Sequence, residues 1–206
     1  MEGYVAVIDL GTANFGSMMN MLKKIGAESV LTNSPEQVAE ASRLILPGVG
    51  AFDTVAAALH QKPELLATLS DRVLSDKVEF LGVCVGMQLL FDSSDEGVQP
   101  GLGWIGGRVR KFEFDEASRL PVPHMGWNFI KQVRASRLMN MEEKNKFYFV
   151  HSYRAVDVDA DAILGTTNYG EDFVSAVSRD NIHGVQFHPE KSHFFGMNIL
   201  RAFLEG

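Results

Sequence analysis

The sequence predicts an α/β fold: a single domain with a central, mostly parallel sheet flanked by helices, extended in its second half by antiparallel strands. Three observations carry this. In the first half, short apolar runs alternate with segments of helical periodicity, the pattern of βα units that build a parallel sheet. From Trp104 onward, β-branched and aromatic runs separated by Asp, Asn and Gly take over, as expected of added strands and hairpins. Between the two, the apolar run Val78-Glu79-Phe80-Leu81 enters the turn Gly82-Val83-Cys84-Val85-Gly86 and leaves through Met87-Gln88-Leu89-Leu90-Phe91, which reads as strand, tight turn and helix with a thiol at the apex.

Element by element, Tyr4-Val5-Ala6-Val7-Ile8 is a first strand ending at Asp9-Leu10-Gly11. From Asn14, the apolar positions Phe15, Met18, Met19, Leu22 and Ile25 recur at helical spacing and close at Gly26. A short strand near Val30-Leu31 follows, then a helix opened by Ser34-Pro35-Glu36 and a strand at Leu44-Ile45-Leu46. Helical patterns cover Phe52 to Leu59 and Pro63 to Leu74. Asp92 to Gly103 reads as a surface loop. Strands are expected over 105–112, 147–153, 162–167, 174–177 and 184–187, and a last helix from about Phe195 to Leu204.

Composition narrows the classes of function. The chain has 206 residues, 46% of them hydrophobic and 22% charged, enough for one core. The formal charge of −7 argues against a general nucleic-acid binder. No run of 18 apolar residues suggests a membrane span. A single cysteine cannot form an internal disulfide, and the first residues lack a signal-peptide pattern, so a cytoplasmic protein is expected.

Cys84 sits where a strained elbow presents a nucleophile, with a glycine on either side to let the backbone bend. The helix that follows should favour the thiolate through its dipole. A thiol nucleophile needs a base and an orienting group. Val185-Gln186-Phe187-His188-Pro189-Glu190 supplies both: on an extended backbone, residues two apart share a face, so Glu190 can hold one nitrogen of His188 while the other faces the sulfur. Two such groups without a third ligand do not make a metal site. At the exit of another strand, Leu46-Pro47-Gly48-Val49-Gly50-Ala51 offers glycines that let backbone N–H groups approach an oxyanion, and Val85 N–H, next to the nucleophile, is a second donor.

Taken together, Gly82-Val83-Cys84-Val85-Gly86-Met87-Gln88 and Val185-Gln186-Phe187-His188-Pro189-Glu190 resemble the class I (triad) glutamine amidotransferases. Within them, four further words resemble the glutaminase subunits of imidazole glycerol phosphate synthases: Leu46-Pro47-Gly48-Val49-Gly50, Pro123-His124-Met125-Gly126-Trp127-Asn128, Tyr148-Phe149-Val150-His151-Ser152-Tyr153 and His188-Pro189-Glu190-Lys191-Ser192. The resemblance spans essentially the whole chain. It implies a catalytic triad of Cys84, His188 and Glu190, an oxyanion site at Gly48, Val49, Gly50 and Val85, and glutamine binding by Gln88, Glu96, His151, Ser152 and Tyr153. It further implies no cofactor. The implied partner is a (β/α)8-barrel cyclase, in a heterodimer, which uses the ammonia to make imidazole glycerol phosphate and aminoimidazole carboxamide ribotide in histidine biosynthesis. Met125, Trp127, Tyr148 and Lys191, and more weakly Asn14, match positions at or near that docking surface; Met125 and Trp127 could equally be core residues. Other readings remain at this stage: a paralogous glutaminase serving another acceptor such as an amino-sugar synthase, a thiol hydrolase with the same elbow, or a non-catalytic subunit that keeps the fold.

Overall fold

The structure is a computed structural model, and it describes residues 3–12, 15–115, 119–139 and 146–206. Asn14 lies outside the described residues. Five parallel strands form the heart of the main sheet, in the order β2 (Ser29–Thr32), β1 (Val5–Ile8), β3 (Arg43–Gly48), β4 (Glu79–Cys84) and β13 (Ile182–Val185). All four residues of β1 are buried, as are five of the six in both β3 and β4. That fits their near-continuous apolar runs, which a two-sided parallel sheet requires. The connecting helices are α1 (Gly16–Lys24), α2 (Pro35–Glu40), α3 (Phe52–His60) and α4 (Pro63–Ser70), the last running on into a π-helical turn at Asp71–Ser75. Ser34 caps α2 by accepting from Gln37 N–H, with Pro35 in the first turn, which is why that boundary is legible in sequence.

Beyond β13 the sheet continues antiparallel through β12 (Glu171–Arg179), β10 (Tyr153–Val156) and β6 (Arg108–Lys111), ending with the two-residue β5 (Ser93–Ser94) paired parallel to β6. On β12 also pairs β11 (Ile163–Tyr169), which carries β8 (Lys131–Gln132). A separate two-stranded sheet joins β7 (His124–Phe129) to β9 (Lys146–His151), and α6 (His193–Glu205) closes the chain. One hydrophobic core cluster draws buried residues from Val5 to Leu204.

Several expected boundaries move. The run expected over 147–153 splits at Ser152, because β9 belongs to the small sheet and β10 to the main one; Ser152 marks where the chain changes sheets, with its carbonyl accepting from Phe112 N–H. The strand expected over 105–112 shortens to Arg108–Lys111 after Gly106 and Gly107. β7 was not anticipated, since its inward residues are His124, Gly126 and Asn128 rather than apolar ones. The loop expected over 92–103 gives up Ser93–Ser94 to β5 and is otherwise irregular but pinned: Asp53, in the first turn of α3, accepts from Val98 N–H at 3.0 Å and Gln99 N–H at 2.9 Å.

The parallel register sets the site. Gly48 stands opposite Cys84 and Val185 opposite Val83, so β3, β4 and β13 end at the same sheet edge, where ligands gather in open α/β folds.

Candidate active site

Cys84 ends β4 and takes φ 56° and ψ −110°, a left-handed backbone that costs a non-glycine residue about 1–3 kcal/mol and persists only where its surroundings enforce it. The enforcement is visible next to it. Contrary to the expectation from sequence, the glycines at 82 and 86 do not supply the bend; neither has a positive φ, and the cysteine itself carries it. They serve close packing instead, since a Cβ on Gly86 would fall on the Leu46 carbonyl oxygen and one on Gly82 on that of Gly86. The helix after the thiol, α5, spans only Val85–Gln88, so it sums few peptide dipoles and the expected dipole assistance is small.

His188 Nδ1 lies 2.7 Å from Glu190 Oε1. The contact is the expected one, but its cause differs: β13 stops at Val185, and Pro189–Lys191 forms a 3-10 turn that swings the carboxylate back under the ring. Burial alone would push the His188 imidazole down. The charge and proximity of Cys84 and the hydrogen bond and charge of Glu190 override it, and the pKa rises to about 10, although no aligned hydrogen bond joins Nε2 to the sulfur. The resting state this favours is an imidazolium beside Cys84.

Cys84 and His188 open into a cavity of about 280 Å³ whose lining includes Val49, Gly50, Val85, Gln88, Glu96, His151, Ser152, Tyr153 and Lys191. Gly48 sits behind, in an adjoining cavity of about 170 Å³ that also receives Glu190. Gly50 has φ 104°, a conformation open to glycine and hostile to side chains, and it stands in free space beside the exposed Val49. Glu96 accepts from Phe52 N–H at 2.8 Å at the head of α3. Burial raises its pKa, with the Asp53 charge adding and the Phe52 hydrogen bond opposing, so it is a carboxylate held on the cavity wall short of a cation.

Behind the cavity runs a chain of neutral imidazoles. His151 Nδ1 meets the Tyr153 carbonyl at 2.7 Å and must donate, so its Nε2 accepts from His124 Nδ1 at 3.1 Å, and His124 Nε2 in turn accepts from Asn128 Nδ2 at 3.2 Å. Burial first, then the charges of His124 and His188, lowers the His151 pKa to about 3 against the Tyr153 hydrogen bond; burial lowers that of His124 to about 4. A proton on His151 Nε2 would set donor against donor.

A model of the family described as glutamine amidotransferase class-I matches residues 6–205. The chain belongs to this family. Among relatives, the "imidazole glycerol phosphate synthase subunit HisH 2" of Methanococcus maripaludis is 46% identical over 98% of both chains, that of Pseudomonas aeruginosa 45% over 98% of both, and the subunit HisH of Leptospira interrogans 42% over 97% of this chain and 98% of its own. Of solved structures, one titled "crystal structure of glutamine amidotransferase" overlays with a TM-score of 0.75 at 20% identity, covering 98% of each chain. The "structure of PurLQS from Thermotoga maritima" does so with 0.75 at 16%, covering 100% and 99%. These two share the fold.

In this amidotransferase the residues expected at a docking surface are brought together. Trp127 stands opposite Tyr148 across β7 and β9, Lys191 Nζ lies 6.0 Å over the Tyr148 ring, and Trp127 stacks on His193. Met125 is 61% exposed and Trp127 40%, so neither is a core residue. Phe129, 51% exposed on the same face of β7, extends the stripe and was missed for want of a strand assignment there. Also missed were Ser192, fully buried, which accepts from Tyr148 N–H at 2.9 Å and donates to the His188 carbonyl at 2.6 Å, and Gln186. The available signal was a polar residue inside or beside an apolar run. Among the described residues, no helix is long and apolar enough to cross a membrane.

Proposed function

We propose that this chain is the glutaminase subunit of an imidazole glycerol phosphate synthase, working in the cytoplasm, with Cys84, His188 and Glu190 as its catalytic residues. The observation that carries the assignment is the convergence of a cysteine in an enforced left-handed elbow and a His188–Glu190 pair on one cavity. Near full-length identity to HisH subunits supports the choice of acceptor system.

The Cys84 thiolate attacks the side-chain amide carbon of glutamine, and Val85 N–H with a donor from the Gly48-Val49-Gly50 segment takes the oxyanion. As the C–N bond breaks, the His188 imidazolium passes its proton to the departing nitrogen and ammonia leaves a glutamyl thioester. His188, now neutral, takes a proton from water as the hydroxide adds to the thioester; the C–S bond breaks with its electron pair on sulfur, and glutamate departs. Glu190 holds the ring and stabilises its cation. Glu96 pairs with the substrate α-ammonium, while Gln88, His151, Ser152 and Tyr153 shape the rest of the pocket.

Ammonia is of use only if it reaches an acceptor unprotonated, so the surface formed by the exposed Met125, Trp127 and Lys191 with the half-buried Tyr148 docks a (β/α)8-barrel cyclase that turns the ammonia into imidazole glycerol phosphate and aminoimidazole carboxamide ribotide. The test is glutamine hydrolysis with and without such a cyclase and its nucleotide ligand. Strong stimulation, abolished by Cys84→Ala, is expected; hydrolysis indifferent to the cyclase would remove the partner, and hydrolysis surviving Cys84→Ala would remove the nucleophile.

A further inference from the structure

The sulfur of Cys84 receives a hydrogen bond from a residue outside the triad. Because β13 runs parallel to β4 with Val185 opposite Val83, the next residue, Gln186, stands level with Cys84. Its backbone N–H is fixed to the Ser175 carbonyl of β12 at 2.9 Å, its side chain is fully buried, and its Nε2 lies 3.7 Å from Cys84 Sγ. A fully buried amide beside a nucleophile, with the adjacent backbone committed to the sheet, is an expensive arrangement to maintain for packing alone.

Which end of that amide faces the sulfur follows from an obligatory acceptor two residues away in the chain of bonds. The Tyr153 carbonyl can only accept, and Gln88 reaches it at 3.3 Å, so Gln88 must present its NH2 there. The same Nε2 lies 3.0 Å from Gln186 and must donate to it, which makes the near atom Gln186 Oε1. Gln186 is thereby turned with its NH2 toward the sulfur. His151 Nδ1, donating to the same Tyr153 carbonyl, holds the hub from the other side.

We propose that Gln186 is a further catalytic residue, a fixed N–H donor to the Cys84 sulfur, and that Gln88 is its positioning residue. The inference rests on Cys84 being the nucleophile. In the resting site the donor is already aimed at the sulfur. When the thioester breaks down and the C–S bond's electron pair returns to sulfur, the same N–H is already in place to receive it, and a better-stabilised thiolate leaves faster. Gln186 does not line the cavity, so it acts on the sulfur and not on glutamine. The groups that face the sulfur or share its cavity and also carry or exchange charge are His188 with Glu190 behind it, His151, Glu96 and Lys191, and none of them is altered in the test.

The test uses Gln186→Met, which keeps length and removes the N–H, Gln186→Glu, which turns an acceptor on the sulfur, and Gln88→Met, which frees the Gln186 amide. Two measurements are made on each: the rate of Cys84 alkylation by iodoacetamide across pH, and glutamine turnover with the cyclase bound. One neutral N–H donor corresponds to about a threefold to tenfold loss of alkylation rate near neutrality for Gln186→Met. The loss is larger for Gln186→Glu, smaller for Gln88→Met, and shrinks at alkaline pH, where the thiol ionises unaided. kcat falls in both Gln186 variants while their KM for glutamine holds; Gln88 lines the glutamine cavity, so Gln88→Met is judged by alkylation alone. A merely structural role would not give a loss that alkali restores. If Gln186→Met fails to fold, the Gln186→Glu and Gln88→Met series carries the same comparison. Wild-type alkylation rates and kcat in folded variants would overturn this inference alone. Wild-type protein that hydrolyses glutamine equally well after Cys84→Ala would overturn the nucleophile assignment, and this inference with it.

Discussion

His151 is the residue whose neutrality the structure enforces most strongly, and lowering the pH tests it. In the unfolded chain its imidazole titrates at the ordinary value of 6.5; in the folded protein burial, with the charges of His124 and His188 adding and the Tyr153 hydrogen bond opposing, holds it neutral down to about pH 3. Where the folded value lies below the unfolded one, the unfolded state binds the extra proton, so stability is intact above 6.5 and is lost as pH falls through the window toward 3. Between pH 6.5 and about 5 the loss is roughly 1.5 × 1.36, about 2 kcal/mol from His151 alone. The figure depends little on the folded value, because that lies well below the window. His124 acts in the same direction; Glu96, raised by burial, acts in the opposite one. Comparison with His151→Gln, which can still donate to the Tyr153 carbonyl, removes these shared contributions. Urea unfolding followed by circular dichroism at about pH 7.5 and about pH 5 should show the wild type losing about 2 kcal/mol more than the variant over that interval. Equal acid losses in the two proteins, or an NMR titration of the His151 ring with a midpoint near 6, would refute the argument.

Four other outcomes follow from the geometry. Gly86→Ala places a methyl on the Leu46 carbonyl and should destabilise the fold by about 1–3 kcal/mol or more, seen as a lowered unfolding midpoint; an unchanged midpoint would mean that the elbow can relax. Gly50→Val forces a β-branched residue to φ 104° and should lower glutaminase turnover with bound cyclase and nucleotide about tenfold or more while glutamine binding changes less. Glu96→Gln removes the charge proposed to pair with the α-ammonium and should raise KM for glutamine about tenfold to a hundredfold, and an unchanged KM would overturn that pairing. Trp127→Ala should weaken association with the cyclase about tenfold or more in a calorimetric titration, as expected for a central aromatic anchor.

What sequence could reveal divides along physical lines. The parallel half was legible because β1, β3 and β4 are buried on both faces and therefore read as unbroken apolar runs ending at Asp9, Gly48 and Cys84. The candidate residues Cys84, His188 and Glu190 stood out because they lie at or just beyond the ends of β4 and β13, close to glycine or proline. β7 was not, because its buried side is made of His124, Gly126 and Asn128, whose burial is satisfied by hydrogen bonds and ring stacking that no periodicity reports. Gln186 was passed over for the same reason: its polarity is matched by Gln88 and by a sulfur that become neighbours only when β13 lies against β4. The His188–Glu190 contact was anticipated on the wrong backbone, since proline drives a 3-10 turn where an extended strand had been expected.

The proposed mechanism passes through a glutamyl thioester at Cys84, and acid-quench mass spectrometry of the enzyme with the cyclase, mixed with glutamine, observes that species directly. One added glutamyl mass is expected, confined to the peptide carrying Cys84 and absent from Cys84→Ala. Continued glutamine hydrolysis with no adduct on Cys84, or an adduct on another residue, would contradict it.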